Sequence, residues 1–479
     1  MLQFTSQDRE TPVKRSADQR REDFDEIYMR FADDSAEQQS SRCSQCGIPF
    51  CQDHCPLGND IPDWLRLVAE GRLEEAYAVS AATNNMPEVC GRICPQDRLC
   101  EGACVIEQSG HGTVTIGSVE TFITETAFEN GWVPPLQPKA ERSESIGIIG
   151  AGPAGLAAAE ELRKEGFKVT VYDRYDRVGG LLIYGIPGFK LEKSVVIRRV
   201  ERLRDGGIEF RTNFEVGRDA TFDELRAKHD AILIATGVYK ARELDCLADG
   251  DAAVIPALEY LTASNRRGLG DTINDNFGTA DGKRVVVIGG GDTAMDCVRT
   301  AIRQGASNVE CLYRRDRENM PGSQREVGHA EEEGVTFRWL SAPKALRSDG
   351  VTSVKMRLGD PDASGRRSPV AIPNSEEMIK ADLVIAALGF SPEDLPTMFG
   401  ADELKVTARG TLRVHPETLE TSMPGVYAAG DIVRGASLVV WAIRDGRVAA
   451  AAMTERLNGL SPADKVGPLN ARQPSIAAE

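Results

Sequence analysis

The spacing of apolar residues changes near residue 140. Before that point they recur at helical intervals in short segments, most clearly over residues 60–82, where Ile61, Trp64, Leu65, Val68, Leu73, Ala76 and Tyr77 form one stripe. Asp60 is placed to cap this helix and Pro62 suits its first turn, so the spacing predicts a core-facing helical surface. The proline-rich residues 134–138 and the polar residues 139–145 predict a linker. Beyond it, short β-rich runs at 146–149, 168–172, 231–235, 284–288, 308–313 and 383–388 alternate with helical stretches. That alternation predicts parallel sheets with helices on both faces. The Gly, Asn and Asp-rich residues 264–282 read as a crossing, and residues 457–479, with little apolar pattern, as a mobile tail.

Two of the strand-to-helix steps carry glycine-rich turns. In Ile146-Gly-Ile-Ile-Gly150-Ala-Gly152-Pro153-Ala154-Gly155, the three spaced glycines permit a tight turn, close approach of a pyrophosphate and close packing of helix on strand. Asp173 ends the next strand and suits the hydroxyls of an adenosine ribose. In Arg284-Val-Val-Val-Ile-Gly289-Gly290-Gly291-Asp292-Thr293-Ala294-Met-Asp296 the pattern returns with alanine in the third slot. Here the next strand ends in Tyr313-Arg314-Arg315-Asp-Arg317, and guanidinium groups match a 2′-phosphate, which predicts NADPH over NADH. A solvated charge run is the competing reading of these arginines, and a plain structural turn that of the glycines. FAD is expected at the first site, where Gly179-Gly180-Leu181, Ala235-Thr236-Gly237 and Val426-Tyr-Ala-Ala-Gly430-Asp431 resemble flavoproteins of the disulfide-reductase kind. Asp431 is the candidate contact to the flavin's ribityl and pyrophosphate region, although an Asp there also serves as an ordinary helix cap.

Length, charge and cysteine content narrow the function. A chain of 479 residues suits about three domains. Its net charge of -16 argues against nucleic acid or an anionic membrane as partner. The charged first 30 residues lack a signal peptide's apolar core, and no run reaches the roughly 18 apolar residues of a membrane span, so a cytoplasmic location is expected. In that reducing compartment, cysteines spaced Cys43-x2-Cys46-x4-Cys51-x3-Cys55-Pro and Cys90-x3-Cys94-Pro-x4-Cys100-x3-Cys104 point to iron–sulfur clusters, with zinc as the alternative. Beyond Cys104 only Cys246, Cys297 and Cys311 remain, without a Cys-x-x-Cys pair, so each is expected as a small buried hydrophobe and disulfide chemistry is not. The five histidines, at 54, 111, 229, 329 and 415, are scattered and carry no site by spacing.

Taken in order, these pieces resemble the family of small (beta) subunits of bacterial NADPH-dependent glutamate synthase. The resemblance rests on Arg20-Arg-Glu-Asp-Phe24, Cys43-Ser-Gln-Cys46-Gly-Ile-Pro-Phe-Cys51, Tyr184-Gly-Ile-Pro-Gly-Phe-Lys190, Gly289 to Asp296, Tyr313 to Arg317 and Asn319-Met-Pro-Gly-Ser323, and covers about residues 10 to 460. It implies an α/β chain in which a mostly helical iron–sulfur domain precedes two Rossmann-like dinucleotide-binding domains, for FAD and NADPH, the second inserted in the first. The expected boundaries are 1–140 for the cluster domain, 141–280 and 386–479 for the two parts of the FAD domain, and 281–385 for the NADPH domain. The same resemblance implies one 4Fe-4S cluster on Cys43, Cys46, Cys51 and Cys104. A second is implied on Cys55, Cys94, Cys100 and Glu120, the last standing where dihydropyrimidine dehydrogenase has a glutamine. Cys90 remains an alternative ligand. It further implies FAD contacts at Lys190 and Val216 and an NADPH contact at Gly389. Electrons from NADPH would pass through FAD and the clusters to a large (alpha) subunit that forms glutamate from glutamine and 2-oxoglutarate. The same module serves other ferredoxin-linked or pyrimidine-reducing enzymes, and a cluster-based redox sensor without turnover is a third reading.

Overall fold

A computed structural model describes residues 1–248, 254–273, 278–361 and 367–459. In its N-terminal part the apolar stripe of residues 60–82 forms two helices, Ile61–Ala69 and Leu73–Thr83, because Gly71 takes φ +72° between them. Asp60 holds the N-cap position, but its carboxylate accepts from Gln52 Nε2 at 2.7 Å instead of capping the helix. Ile61, Trp64, Leu65, Val68, Ala76 and Tyr77 are buried and pack with helix Ile116–Glu129, while Leu73 is half-buried.

The first sheet runs, in spatial order, Val426–Ala428, Ala231–Ile234, Ser145–Ile149, Lys168–Tyr172, Glu209–Arg211. The second runs Thr336–Arg338, Asn308–Leu312, Arg284–Ile288, Leu383–Ala386, Val254–Pro256. All pairings in both are parallel, and in each the strand leading into a glycine turn lies at the centre. After their half-buried first residues, Ser145 and Arg284, these central strands are buried and carry no polar side chain, as strands covered by helices on both faces do. The chain crosses between the sheets through two short antiparallel strands, Lys240–Ala241 and Phe390–Ser391, so the second unit is inserted in the first. The α/β architecture with a helical N-terminal part is therefore the one expected.

Two details differ from the sequence reading, and one expectation falls outside the described residues. Helix Ala257–Gly268 runs into the stretch read as a crossing, of which residues 274–277 lie outside the described residues. Helix Val439–Leu457 is followed by only two described residues, so the expected tail lies almost wholly outside them. An antiparallel meander, Ser341–Arg347, Gly350–Pro361 and Arg367–Lys380, went unrecognised. Its last strand is mostly exposed on both faces, which removes the apolar alternation that marks a half-buried strand.

Two buried ion pairs fasten the N-terminal part to the nucleotide folds. Glu88 takes both ends of the Arg199 guanidinium at 2.6 and 2.8 Å, joining the helix that carries Cys90 to the first fold. Arg20 donates to Glu333 at 3.0 Å in the second, where Glu333 also receives Arg299 and Arg303. Phe189 lies under both arginines, 4.5 and 4.0 Å from their guanidinium carbons.

Candidate functional site

At the first fold, Gly150 has φ +109° and a side chain there would stand 2.3 Å from the Ala235 carbonyl oxygen. A Cβ on Gly155 would meet the Gly150 carbonyl at 2.0 Å, whereas one on Gly152, the N-cap of helix Pro153–Lys164, would enter open space. Gly180 approaches the Gly152 Cα, and Gly430 approaches Ala154, so Leu181 and Asp431 are brought to the same helix N-terminus. Helix Val439–Leu457 closes over it, with Gly446 against the Ala154 carbonyl. Asp173 accepts from the amides of Ala151 at 2.7 Å and Tyr175 at 2.8 Å, while burial pushes its carboxyl upward. It shares a pocket with Tyr175, Val216, Tyr239 and Met398. Burial likewise lifts the Asp431 carboxyl to about 6, against a bond from Ser437 Oγ at 2.6 Å.

The second fold repeats this geometry. Gly289 has φ +151° with its missing side chain 2.3 Å from the Ala387 oxygen, and Gly291 caps helix Asp292–Arg303 beside open space. Ala294 is buried in the third slot. A Cβ on Gly290 would strike the Tyr313 ring at 2.3 Å, so that ring covers the turn, tied by its hydroxyl to the Asn319 carbonyl at 2.8 Å. Asp292, with Thr293 next in the helix, accepts from the Ser323 amide at 2.9 Å. Arg314 is exposed at the tip of strand Asn308–Leu312 and Arg315 is buried. Gly389, at φ +84°, lies on the crossover, its carbonyl accepting from the Arg242 amide at 3.1 Å.

Cys43, Cys46, Cys51 and Cys104 line one small cavity together, although Cys104 is distant in sequence. Burial pushes the Cys51 thiol to about 12, with Cys43 and Cys104 adding to the rise. Cys55, Cys94, Cys100 and Glu120 form a second group: burial raises the Cys55 and Cys100 thiols, a bond with Cys90 and then burial raise that of Cys94, and Glu120 adds a smaller part to each. Cys90 stands among them, hydrogen-bonded to Cys94 and close to Cys55. Glu120 is lifted to about 8 by burial, opposed by bonds from Asn84 and Ser80. Such sets resist ionisation by themselves and suit a cationic iron core that offsets several thiolates at once. Among the described residues no group of three or more His, Cys, Asp or Glu is placed to hold a single metal ion. Cys297 and Cys311 are buried, but Cys246 is half-buried at the edge of a small apolar cluster, unlike its expectation.

All three parts meet at a cleft of about 620 Å³, lined by Cys94, Leu181, Lys190, Asp292, Asp296 and Glu326 among others. Lys190, shortly after the one-turn helix Leu181–Tyr184 that Gly180 caps, donates to Asp296 of the second fold at 2.8 Å. Burial raises the Asp296 carboxyl to about 6 even beside that ammonium. Sequence reasoning named Lys190 as an FAD contact and did not foresee Asp296 as its partner, nor Glu326 and His329 nearby. Asp296 was visible as the last residue of the second glycine motif; the other two carry no local signal.

A helical cysteine-rich domain ahead of two linked dinucleotide folds defines a class, an iron–sulfur pyridine-nucleotide oxidoreductase. Residues 20–132 match the family described as dihydropyrimidine dehydrogenase domain II, 4Fe-4S cluster, and residues 144–446 match pyridine nucleotide-disulphide oxidoreductase. The chain is 64% identical over 458 residues to the glutamate synthase (NADPH) small chain of Azospirillum brasilense, covering 94% of this chain and 95% of that one. It is 46% identical over 462 residues to its namesake in Escherichia coli (strain K12), covering 94% and 97%. Among solved structures, Mycobacterium tuberculosis FprA in complex with NADPH shares the fold at TM-score 0.56 and 19% identity, over 66% of this chain and 85% of that one. The chain belongs to the family of glutamate synthase (NADPH) small chains.

Proposed function

We propose that this chain is the electron-input subunit of a glutamate synthase, taking hydride from NADPH and sending single electrons through two 4Fe-4S clusters to a large subunit. That partner forms L-glutamate from L-glutamine and 2-oxoglutarate. The observation that carries the reading is the Lys190–Asp296 pair, which joins the two nucleotide folds at the wall of a cleft that Cys94 also lines. FAD supplies the exchange between two-electron and one-electron chemistry. The protein's own work is to hold and orient. Gly150, Gly152, Pro153, Ala154, Gly155, Asp173, Gly180, Leu181, Lys190, Val216, Gly430 and Asp431 would hold FAD. Gly289 to Ala294, Arg314, Arg315 and Gly389 would hold NADPH, and Cys43, Cys46, Cys51 and Cys104 one cluster. Cys55, Cys94 and Cys100 would hold the other, completed by Glu120 or Cys90. The open space at Gly152 and Gly291 supports the two phosphate sites. The crossover at 240–241 and 390–391 supports an insertion wider than 281–385, one that includes Val254–Pro256.

A cytoplasmic location goes with this reading. Among the described residues no helix is long and apolar enough to cross a membrane. The test is NADPH oxidation by the anaerobically copurified complex with glutamine and 2-oxoglutarate added singly and together. Oxidation that requires both is expected. Dye reduction without it would leave an electron-input module serving another acceptor.

A further inference from the structure

The two cysteine groups differ in what faces their sulfurs. Backbone amides serve both: Gln45 and Gln52 point theirs at Cys43 and Cys51, and Leu57 and Asn59 theirs at Cys55. The first group has side-chain donors as well. Gln45 Nε2 lies 3.4 Å from Cys43 Sγ, and Ser44 Oγ lies 3.0 Å from Cys46 Sγ. Sulfurs of the second group meet no hydroxyl or amide side chain among the described residues; Ser80 and Asn84, which stand nearby, donate to Glu120 instead.

The backbone is shaped for the first arrangement. Gln45 takes φ +52°, a left-handed turn uncommon outside glycine, and thereby sends the backbone and the side-chain N–H of one residue to one sulfur. The same Nε2 donates to the Pro62 carbonyl at 2.7 Å, so the first turn of helix Ile61–Ala69 holds the amide in place. Ser44 and Pro62 line the cavity that Cys43, Cys46, Cys51 and Cys104 share. A thiolate bound to iron carries no proton, so the Ser44 hydroxyl is the donor to Cys46.

We infer that Ser44 and Gln45 hold up the reduction potential of the cluster on Cys43, Cys46, Cys51 and Cys104, and so favour passage of electrons to it from the cluster nearer the nucleotide folds. The inference rests on the functional reading above. Reduction adds one negative charge, part of which falls on the thiolate sulfurs. An N–H or O–H aimed at such a sulfur stabilises the reduced form more than the oxidised one, which raises the potential. One electron enters and one leaves; no bond forms or breaks and no proton moves. Position gives the direction. Cys94 lines the central cleft with Leu181 and Lys190, whereas the cavity of the first group is lined only by residues between 43 and 116.

The test is a redox titration of the anaerobic, cluster-loaded chain, poised with dithionite and dye mediators and read by EPR of the reduced clusters. Ser44→Ala and Gln45→Met should each make reduction of one and the same cluster about tenfold less favourable, which is about 59 mV for a one-electron couple, and leave the other signal in place. Ser44→Thr keeps the hydroxyl and should retain the wild-type midpoint. An unmoved midpoint in either of the first two variants would overturn the role of that residue, and equal shifts of both clusters would overturn the inference. A wild-type chain without any reduced-cluster signal would instead overturn the functional reading. The unmutated chain supplies a measurement that does not depend on a variant assembling its clusters. With glutamine labelled by ¹⁵N at the side-chain amide, one reduced-cluster signal should carry a ¹⁵N hyperfine coupling, and its absence from both signals would overturn the role of Gln45.

Discussion

The two nucleotide folds differ little in backbone and sharply in what meets the ligand. At each, a glycine of positive φ sits 2.3 Å, counted from its missing side chain, from a carbonyl of the neighbouring strand's end, Ala235 in one and Ala387 in the other. At each, the helix N-cap glycine faces open space. The third slots diverge without consequence, because Gly155 is pressed against a carbonyl while Ala294 is simply accommodated. The divergence that matters lies at the tip of the next strand, where the first fold has a buried carboxylate held by two amides and the second has Arg314 and Arg315. In the proposed assignment, backbone geometry would make the phosphate site and the strand tip would choose the nucleotide.

The deepest break in this symmetry should come from the turns. Gly150→Ala forces a side chain into the Ala235 carbonyl at positive φ and should abolish FAD retention, read as loss of flavin absorbance in the purified chain. Gly289→Ala should leave the flavin bound and abolish NADPH-dependent bleaching. If both variants lose the same cofactor, the assignment of one nucleotide to each fold is wrong.

Next come the fastenings. Glu333→Gln leaves Arg303 facing a neutral amide, while Arg20 keeps Glu332 and Arg299 keeps Glu326, and Glu88→Gln leaves Arg199 facing one, Glu333, Glu88 and these arginines being almost wholly buried. Losing one partner of such a pair should cost roughly 3–5 kcal/mol. Calorimetry should show the Glu333 variant lowering the transition of the second fold and the Glu88 variant that of the first; equal effects on one shared transition would mean the folds unfold as a single unit.

At the strand tip, Arg314→Ala with Arg315→Ala removes the proposed charge-assisted contacts to the 2′-phosphate. With roughly 1.5–3 kcal/mol per such contact, kcat/KM for NADPH should fall at least tenfold while that for NADH holds. An unchanged preference would return these arginines to the status of a solvated charge run.

The smallest effect separates the folds by pH. His229 bonds Ser145 Oγ at 2.7 Å and the Tyr172 hydroxyl at 2.9 Å beneath the first sheet, and burial, followed by Lys228 and Arg211, lowers it to about 4. A histidine depressed from 6.5 to about 4 takes up its proton on unfolding between those values. Stability should therefore fall as pH drops from 6.5 toward 4, with about one extra proton bound on unfolding, and His229→Gln should flatten that slope. A parallel curve would show that His229 does not titrate in this range.

The sequence reading succeeded where the signal was short-ranged. Runs at 168–172 and 284–288 coincide with strands of the structure: after Arg284 the second is a buried apolar run, and after the exposed Lys168 the first is buried with β-branched and aromatic residues throughout. It failed at Asp60, whose capping role was inferred from position while its carboxylate turned to Gln52. It also failed across the meander, whose last strand is largely exposed. His329 was set aside as scattered because its bonds to Glu326 and to Tyr28 combine one helical turn with a separation of 301 residues.

Hydrophobic period, glycine turns and the charge at strand ends are properties of a few consecutive residues, so the alternating α/β order, the pair of nucleotide turns and the cysteine-rich preface could be read from the chain itself. Which side chains meet across the folds depended on packing. Cys104 reaches the cavity of Cys43, Cys46 and Cys51, Cys90 comes to rest beside Cys94, Lys190 reaches Asp296, and Arg20 reaches Glu333. Each of these contacts is set by how whole helices and sheets bury their apolar faces against one another, a condition that no local pattern encodes.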